Sequence, residues 1–407
     1  FFDKRLIICN YFIKLIPTIS CQMPRSAHLD TESLLSALRV AGPAGLAPDE
    51  LLQRFPAVSR STLNRRLKTM VLAGELKVLN AGKATRYRSA RPYSVASVRD
   101  YLAVDYRARP VALFQESLLA PMPEMDTDQA ERLCRIQALA RPLDRRFLAD
   151  FLIDLSWASS LLEGSTYSSL DTQALVQYGE RNPEKPAEDA LLALNHSRAI
   201  AYLWEHRSLS VETLCKVHAL LTDNHQVSEA IDSDHFLPAT QRGVPREYEE
   251  VNLARSAYQP PYRPGSGYVA QAFAALVEAA SRLTPVQAAF YLMTRIPYLQ
   301  VFANGNKRTA RLAANIPLLN AGLLPISFVD MRKADYIEAM AAFYEVGDVQ
   351  LMQDVFVSGY VRSIIRSSDI PAAMKLSGFQ PEGLHAELLQ YVRSGMRPSS
   401  PAAPFLS

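Results

Sequence analysis

Between about Asp30 and Ala90 the apolar positions recur at helical spacing in three short runs, then switch to a pair of strands. Leu34, Leu35 and Leu38 mark the face of a first helix, which Gly42-Pro43 closes. A second short helix starts at Pro48, a favoured first-turn residue, and buries Leu51, Leu52 and Phe55. The third begins at a Ser59–Ser61 cap and carries Leu63, Leu67, Met70 and Val71 on one face, with Arg60, Asn64, Arg65 and Lys68 on the other. Residues 75–79, a turn at Asn80-Ala81-Gly82-Lys83, and the stretch through Arg86, Tyr87 and Arg88 predict a two-stranded wing.

The rest of the pattern is dominantly helical. Residues 91–147 mix Pro, Arg and short apolar groups and read as a linker with some helix. From 148 to 366 a long helical domain is expected. Its clearest element opens at Thr284-Pro285 and repeats Val286, Ala289, Phe290 and Met293 until Ile296-Pro297. The tail, 367–407, holds one helical stretch at 382–393 and then a Pro/Ser-rich end expected to be disordered. The fold class is therefore mainly α, with a small all-helical-plus-wing module in front.

Charge sharpens this division. The 407 residues carry a net charge of only +3, which excludes a uniformly basic nucleic-acid coat. Residues 57–90, however, hold eight Lys/Arg (Arg60, Arg65, Arg66, Lys68, Lys77, Lys83, Arg86, Arg88) against Glu75, a local +7 that leaves −4 elsewhere. A basic helix face beside a basic wing fits a recognition helix in the major groove with phosphate contacts next to it. DNA is thus an expected partner through Arg60, Asn64, Arg65, Lys68, Lys83, Arg86 and Arg88. Docking of a protein is the competing use of such a module. Reading paired half-sites would call for a homodimer.

Cys9, Cys21, Cys134 and Cys215 form no CxxC pair, so neither a disulfide framework nor a zinc site is signalled. Residues 1–22 are apolar behind Lys4 and Arg5, but Asn10 and Lys14 interrupt the run and no small-x-small site follows. They are read as sequence upstream of a start at Met23. No stretch has membrane-spanning length, and the cytoplasm is the expected location.

The chemistry concentrates at residues 300–311, Gln-Val-Phe-Ala-Asn-Gly-Asn-Lys-Arg-Thr-Ala-Arg. A helix ends near Pro297, a polar glycine turn follows, and a new helix opens at about Asn306 with Leu312, Ile316 and Leu319 on its apolar face. Backbone N–H groups at a helix start, with Lys307, Arg308 and Arg311, make an anion pocket suited to phosphates. Upstream, Ser159-Ser160-Leu161-Leu162-Glu163-Gly164 ends a helix with Gly164 as its cap. Residues 243–261 read as a polar hairpin closed by Pro260-Pro261.

These three segments together resemble the Fic (filamentation induced by cAMP, or Fido) family, over roughly residues 148–365, behind a segment that resembles a winged helix-turn-helix. The family's core motif is H-P-F-x-D/E-G-N-G/K-R-x-x-R and its self-inhibitory helix reads S/T-x-x-x-E-G/N. The resemblance implies an all-helical domain with a small β-hairpin flap, matched here by Gly243, Arg246, Val251, Ser256 and Tyr258. It implies transfer of AMP from Mg-ATP to a protein hydroxyl. Gly305, Asn306, Lys307 and Arg308 would then cradle the phosphates and Arg311 would take the γ-phosphate. Ser159, Glu163 and Gly164 would form the inhibitory motif, with Glu163 competing for the Arg311 guanidinium.

Two departures decide what is expected of this chain. Gln300 stands at the position of the family's catalytic histidine, and an amide cannot take a proton from an attacking hydroxyl near neutrality, a loss of about 10²–10⁴ in rate. Asn304 stands at the position of the acidic magnesium ligand, leaving a neutral oxygen for a cation that prefers carboxylate. Two readings follow. One is an ATP-binding, or other nucleotide-binding, regulator with weakened Mg dependence, coupled to DNA. The other is an active adenylyltransferase, restrained by Glu163, that modifies an unidentified target protein.

Overall fold

A computed structural model describes residues 29–79, 85–121, 125–224, 233–368 and 381–397. The expectations for residues 1–22, for the Asn80–Lys83 turn and for the extreme tail lie outside the described residues. The chain divides into two compact units. One takes the residues up to Ala41 and Gly45–Arg91; the other takes Gly42–Ala44 and everything from Pro92.

The first unit is α1 (Thr31–Val40), α2 (Pro48–Arg54), α3 (Arg60–Leu72), β1 (Leu76–Leu79) and β2 (Arg86–Ser89). Asp30 and Ser59 cap α1 and α3 by accepting from Ser33 N at 3.1 Å and Thr62 N at 3.2 Å. Strands β1 and β2 pair antiparallel, with Leu76 opposite Ser89 and Leu79 opposite Arg86. Leu46 adds a backbone bridge to Tyr87, with both hydrogen bonds at 2.8 Å. Gly45 permits that approach: it sits at φ +62°, and a Cβ there would fall 2.4 Å from the Tyr87 carbonyl oxygen. Leu34, Leu38, Leu51, Leu63, Leu67, Met70 and Leu76 fill the core, on the faces that the helical spacing marks.

The second unit is mainly α, as the sequence predicts. Its elements are α4 (Val95–Ala103), β3 (Ala112–Leu113), α5 (Thr127–Ile136), α6 (Arg145–Glu163), α7 (Ser169–Tyr178), α8 (Ala187–Glu205), α9 (Val211–Leu221) and β4 (Tyr258–Gln259). They continue with α10 (Tyr268–Ser281), α11 (Pro285–Leu299), α12 (Asn306–Ala313), α13 (Asn315–Asn320), α14 (Lys333–Val346), α15 (Gln350–Arg366) and α16 (Pro381–Ser394). Helix α11 is the axis of the core. Every residue from Ala288 to Leu299 is buried, and α5, α10, α12, α13 and α14 pack around it.

The structure differs from the sequence reading in four places. Residues 91–147 are not a linker, because Val98, Tyr101, Leu118, Leu133 and Ile136 belong to the same buried core as α11. Pro297 lies inside α11, which runs on to Leu299. The helix that opens at Asn306 breaks at Ala314, where Pro317 removes the N–H that would bond the Ala313 carbonyl; Leu312, Ile316 and Leu319 stay buried across the break. The segment 243–261 does not pair with itself. Its short strand β4 runs parallel to β3, with Ala112 opposite Tyr258.

Candidate active site

Helix α11 ends because Gln300 adopts the left-handed conformation, at φ +51°. Its side chain turns inward and is 6% exposed. The donors and acceptors around it form a closed set. Phe302 N donates to Asn306 Oδ1 at 2.9 Å, so the Asn306 amide nitrogen faces Gln300 and donates to Gln300 Oε1 at 2.9 Å. Gln300 Nε2 then donates to the Pro297 carbonyl at 2.6 Å. Both ends of the amide are spent within the protein.

Asn304 is spent too. Its Nδ2 donates to the Asp234 carbonyl at 2.6 Å and its Oδ1 accepts from Gly305 N at 2.5 Å. Gly305 caps α12 at φ +75°, and a Cβ there would lie 3.0 Å from Thr222 Cγ2 and 3.3 Å from the His218 ring. His218 fixes the loop from below. Its Nε2 donates to the Asn304 carbonyl at 2.9 Å, Nδ1 accepts from Gly243 N at 2.8 Å, and the ring stacks on Phe302 at 3.7 Å. Burial, with help from Arg308, pushes its pKa down to about 3, so it is neutral.

Both motif arginines are fully buried. Arg308 donates to the carbonyls of Leu221 at 3.0 Å and His235 at 2.8 Å. Burial pushes its pKa down to about 10. Arg311 meets the end of α6: Nη2 donates to Glu163 Oε1 at 2.6 Å and Nε donates to Ser159 Oγ at 2.9 Å. Burial works against the Glu163 carboxylate, but Arg311, Lys307 and Arg308 outweigh it and hold its pKa well below the ordinary range. Gly164, at φ +113°, ends α6 directly after this carboxylate. Lys307 is half-buried at the start of α12.

The structure thus gathers Ser159, Glu163, Lys307, Arg308 and Arg311 into one charged cluster beside the α12 N-terminus. Two members were not evident from sequence. One is His218. The other is His196 on α8, whose Nδ1 lies 2.7 Å from the Leu192 carbonyl and whose Nε2 lies 2.9 Å from Ser159 Oγ. Burial pushes the His196 pKa down to about 3. Both histidines lie on apolar helix faces, and nothing local in the sequence separates them from ordinary core residues.

Residues 208–318 match the model of the Fic/DOC family. The chain contains a Fic/DOC domain. Solved structures similar to the chain include residues 134–508 of Fic-1 from C. elegans, at 18% identity and TM-score 0.44 over 59% of this chain and 68% of that one. Another is a Fic domain containing signaling protein from Bacteroides thetaiotaomicron, at 17% and 0.45 over 59% and 98%. A third is a Fic family protein from Desulfovibrio desulfuricans, at 17% and 0.46 over 67% and 86%. Within the Fic/DOC domain, Arg246 ties residues 243–261 to the motif. Its Nε donates to the Gln300 carbonyl and its Nη2 to the Pro261 carbonyl, both at 2.6 Å. Among the described residues no group of three His, Cys, Asp or Glu side chains is placed to hold a metal ion. Where the motif implies a carboxylate for magnesium, Asn304 offers only a neutral amide oxygen, which also accepts from Gly305 N.

In the first unit, Asn64, Arg65 and Lys68 are exposed on α3; Arg60 is exposed as well and pairs with Asp49. One expected DNA contact falls away: Arg88 is 2% exposed, because its β2 position faces the core. Arg86 stays partly exposed and pairs with Glu50 at 2.9 Å and the Gly45 carbonyl at 3.0 Å. Lys83 lies outside the described residues. No helix among the described residues is long and apolar enough to cross a membrane.

Proposed function

We propose that this chain is a nucleotide-binding regulator whose Fic/DOC domain retains a phosphate pocket with little transfer chemistry. The observation that carries the reading is Gln300. Its amide stands where a base is required, and both its polar ends are already bonded to Asn306 and Pro297. It has neither the proton affinity nor the freedom to accept a hydroxyl proton. The other half of the pocket is intact in kind. The α12 N-terminus with Lys307, Arg308 and Arg311 favours the triphosphate of ATP or a similar nucleotide. The Glu163–Arg311 pair must open for a γ-phosphate to reach Arg311, since carboxylate and phosphate compete for one guanidinium. Asn64, Arg65 and Lys68 on α3, with Arg60, would place the first unit on DNA as a winged helix, and a homodimer would read paired half-sites.

Calorimetry or thermal shift with a nucleotide panel, on wild type and Glu163→Gly, tests the pocket. ATP should bind with little dependence on Mg, and more tightly to the variant. Incubation with radiolabelled ATP should label proteins slowly. Robust labelling that disappears in Arg308→Ala would sink the regulator reading. It would support the second one, an adenylyltransferase held in check by Glu163, for which the 2.6 Å contact to Arg311 speaks.

A further inference from the structure

Between the chain after α4 and the segment leading into β4 lies a cavity of about 470 Å³. Arg107, Arg109 and Arg255 line it, with Tyr106 and Asn252 beside them, and no carboxylate is among its lining residues. Arg107 and Arg255 are exposed, and the Arg107 guanidinium lies 5.1 Å from the Tyr106 ring centre. The side chain of Arg109 is 6% exposed. Its Nη1 meets Glu345 at 3.1 Å and its Nη2 donates to the Arg255 carbonyl at 3.1 Å. Its Nε is buried and has no hydrogen-bond partner among the described residues. A buried donor without an acceptor is costly, and here it belongs to a residue lining a cavity whose other charged side chains are also cationic. Glu345 pairs with Arg109, whereas among the described residues neither Arg107 nor Arg255 pairs with a carboxylate; Asp105 Oδ1 accepts from the Arg107 backbone N–H at 2.9 Å. Arg255 holds the left-handed conformation, at φ +59°, which side-chain-bearing residues seldom adopt.

We infer that this cavity binds a phosphate group, with Arg107 and Arg255 as its forks and the Arg109 side chain in its wall. Guanidinium forks match phosphate oxygens bidentately, and the volume admits a phosphate carried on a larger molecule. The carrier is either a small phosphate monoester or a phosphorylated side chain of another protein. The inference does not depend on the nucleotide reading, because none of residues 300–311 and none of Ser159, Glu163 and Gly164 lines this cavity.

Titration of the full chain with inorganic phosphate, glycerol phosphate, and a phosphoserine peptide beside its unphosphorylated twin tests it. Wild type should show a saturable, salt-sensitive site for at least one phosphorylated probe. Arg107→Ala with Arg255→Ala should weaken it at least tenfold, and Lys307→Ala should leave it in place. Arg255→Gly, which suits the left-handed backbone, should weaken it without loss of stability. Tighter binding of the peptide than of glycerol phosphate would assign a protein partner, and the reverse a small molecule. Unchanged affinity in the double variant, or no preference for phosphorylated probes over the unphosphorylated peptide, would overturn the site.

Discussion

Ser159 and His196 share a 2.9 Å hydrogen bond that sets the direction of a buried relay. His196 Nδ1–H donates to the Leu192 carbonyl at 2.7 Å, which leaves Nε2 to accept from Ser159 Oγ. The serine lone pairs are then free to accept from Arg311 Nε. Arg311 is consequently held by α6 at two side chains, Glu163 and Ser159. Ser159→Ala should lower stability by about 1–3 kcal/mol, since both His196 and Arg311 lose a partner. If nucleotide binding requires Arg311 to be released, Glu163→Gly with Ser159→Ala should bind ATP more tightly than Glu163→Gly alone. Equal affinities by calorimetry would dismiss the second holding point.

Acid should destabilise the protein well above the range where carboxylates titrate. His196 and His218 are held near pKa 3 in the fold against 6.5 ordinarily, so the unfolded chain binds their protons first. Their neutral forms contribute stability fully above pH 6.5, and it is lost as pH falls from there toward 3. The loss is about 1.4 kcal/mol per pH unit for each histidine. Glu163 has the sign of a depressed carboxylate, stabilising above its ordinary 4.5 and lost only in stronger acid. Urea midpoints should fall between pH 6.5 and 4.5, where His235 and His385, also lowered by burial, act in the same direction; a flat profile would refute the buried neutral pair.

Gln300→Ala should cost about 1–3 kcal/mol, because Asn306 Nδ2 and the Pro297 carbonyl lose a buried partner. Gln300→His alone should not raise labelling by radiolabelled ATP; the gain should require Glu163→Gly as well. A rise in the single variant would show that Glu163 exerts no restraint.

Gly305→Ala should destabilise the motif loop by about 1–3 kcal/mol, from the left-handed backbone and the contacts at 3.0–3.3 Å to Thr222 and His218. Chemical denaturation measures it, and a neutral effect would mean that Thr222 moves aside freely.

If α3 contacts DNA, Arg65→Ala and Lys68→Ala in the full chain should each lower the salt dependence of binding by close to one unit, with folding intact. Arg88→Ala should instead lower thermal stability, since that side chain is buried. Affinity indifferent to salt would favour protein docking.

Much of the fold was legible because helix signals are local. The Ser59 cap, Pro48, Thr284-Pro285 and Gly164 all sit at the boundaries the sequence marks, and the Fic/DOC match falls on the motif of residues 300–311. What escaped depends on contacts distant in sequence. The pairing of β3 with β4 joins residues near 112 to residues near 258, and no local pattern announces it. The placement of Arg86 depends on Glu50, and that of His196 on Ser159 and Arg311. Residues 91–147 looked like a linker because their apolar positions are sparse, although Val98, Tyr101, Leu118, Leu133 and Ile136 all enter the core.

Helix α16 has a bearing on how the second unit is assembled during synthesis. Leu384, Leu388, Tyr391 and Val392 are buried against α5 and α15, and Arg132 on α5 donates to the Val392 carbonyl at 2.8 Å. A ribosome-bound chain that has emerged through Arg366 therefore still exposes the side of α5 and α15 that α16 covers. The first unit draws its core from fewer than fifty consecutive residues, Leu29 to Leu76, and can close while its neighbour is being translated. The second unit must wait, so its nascent form presents an apolar groove awaiting a late segment of the same polypeptide.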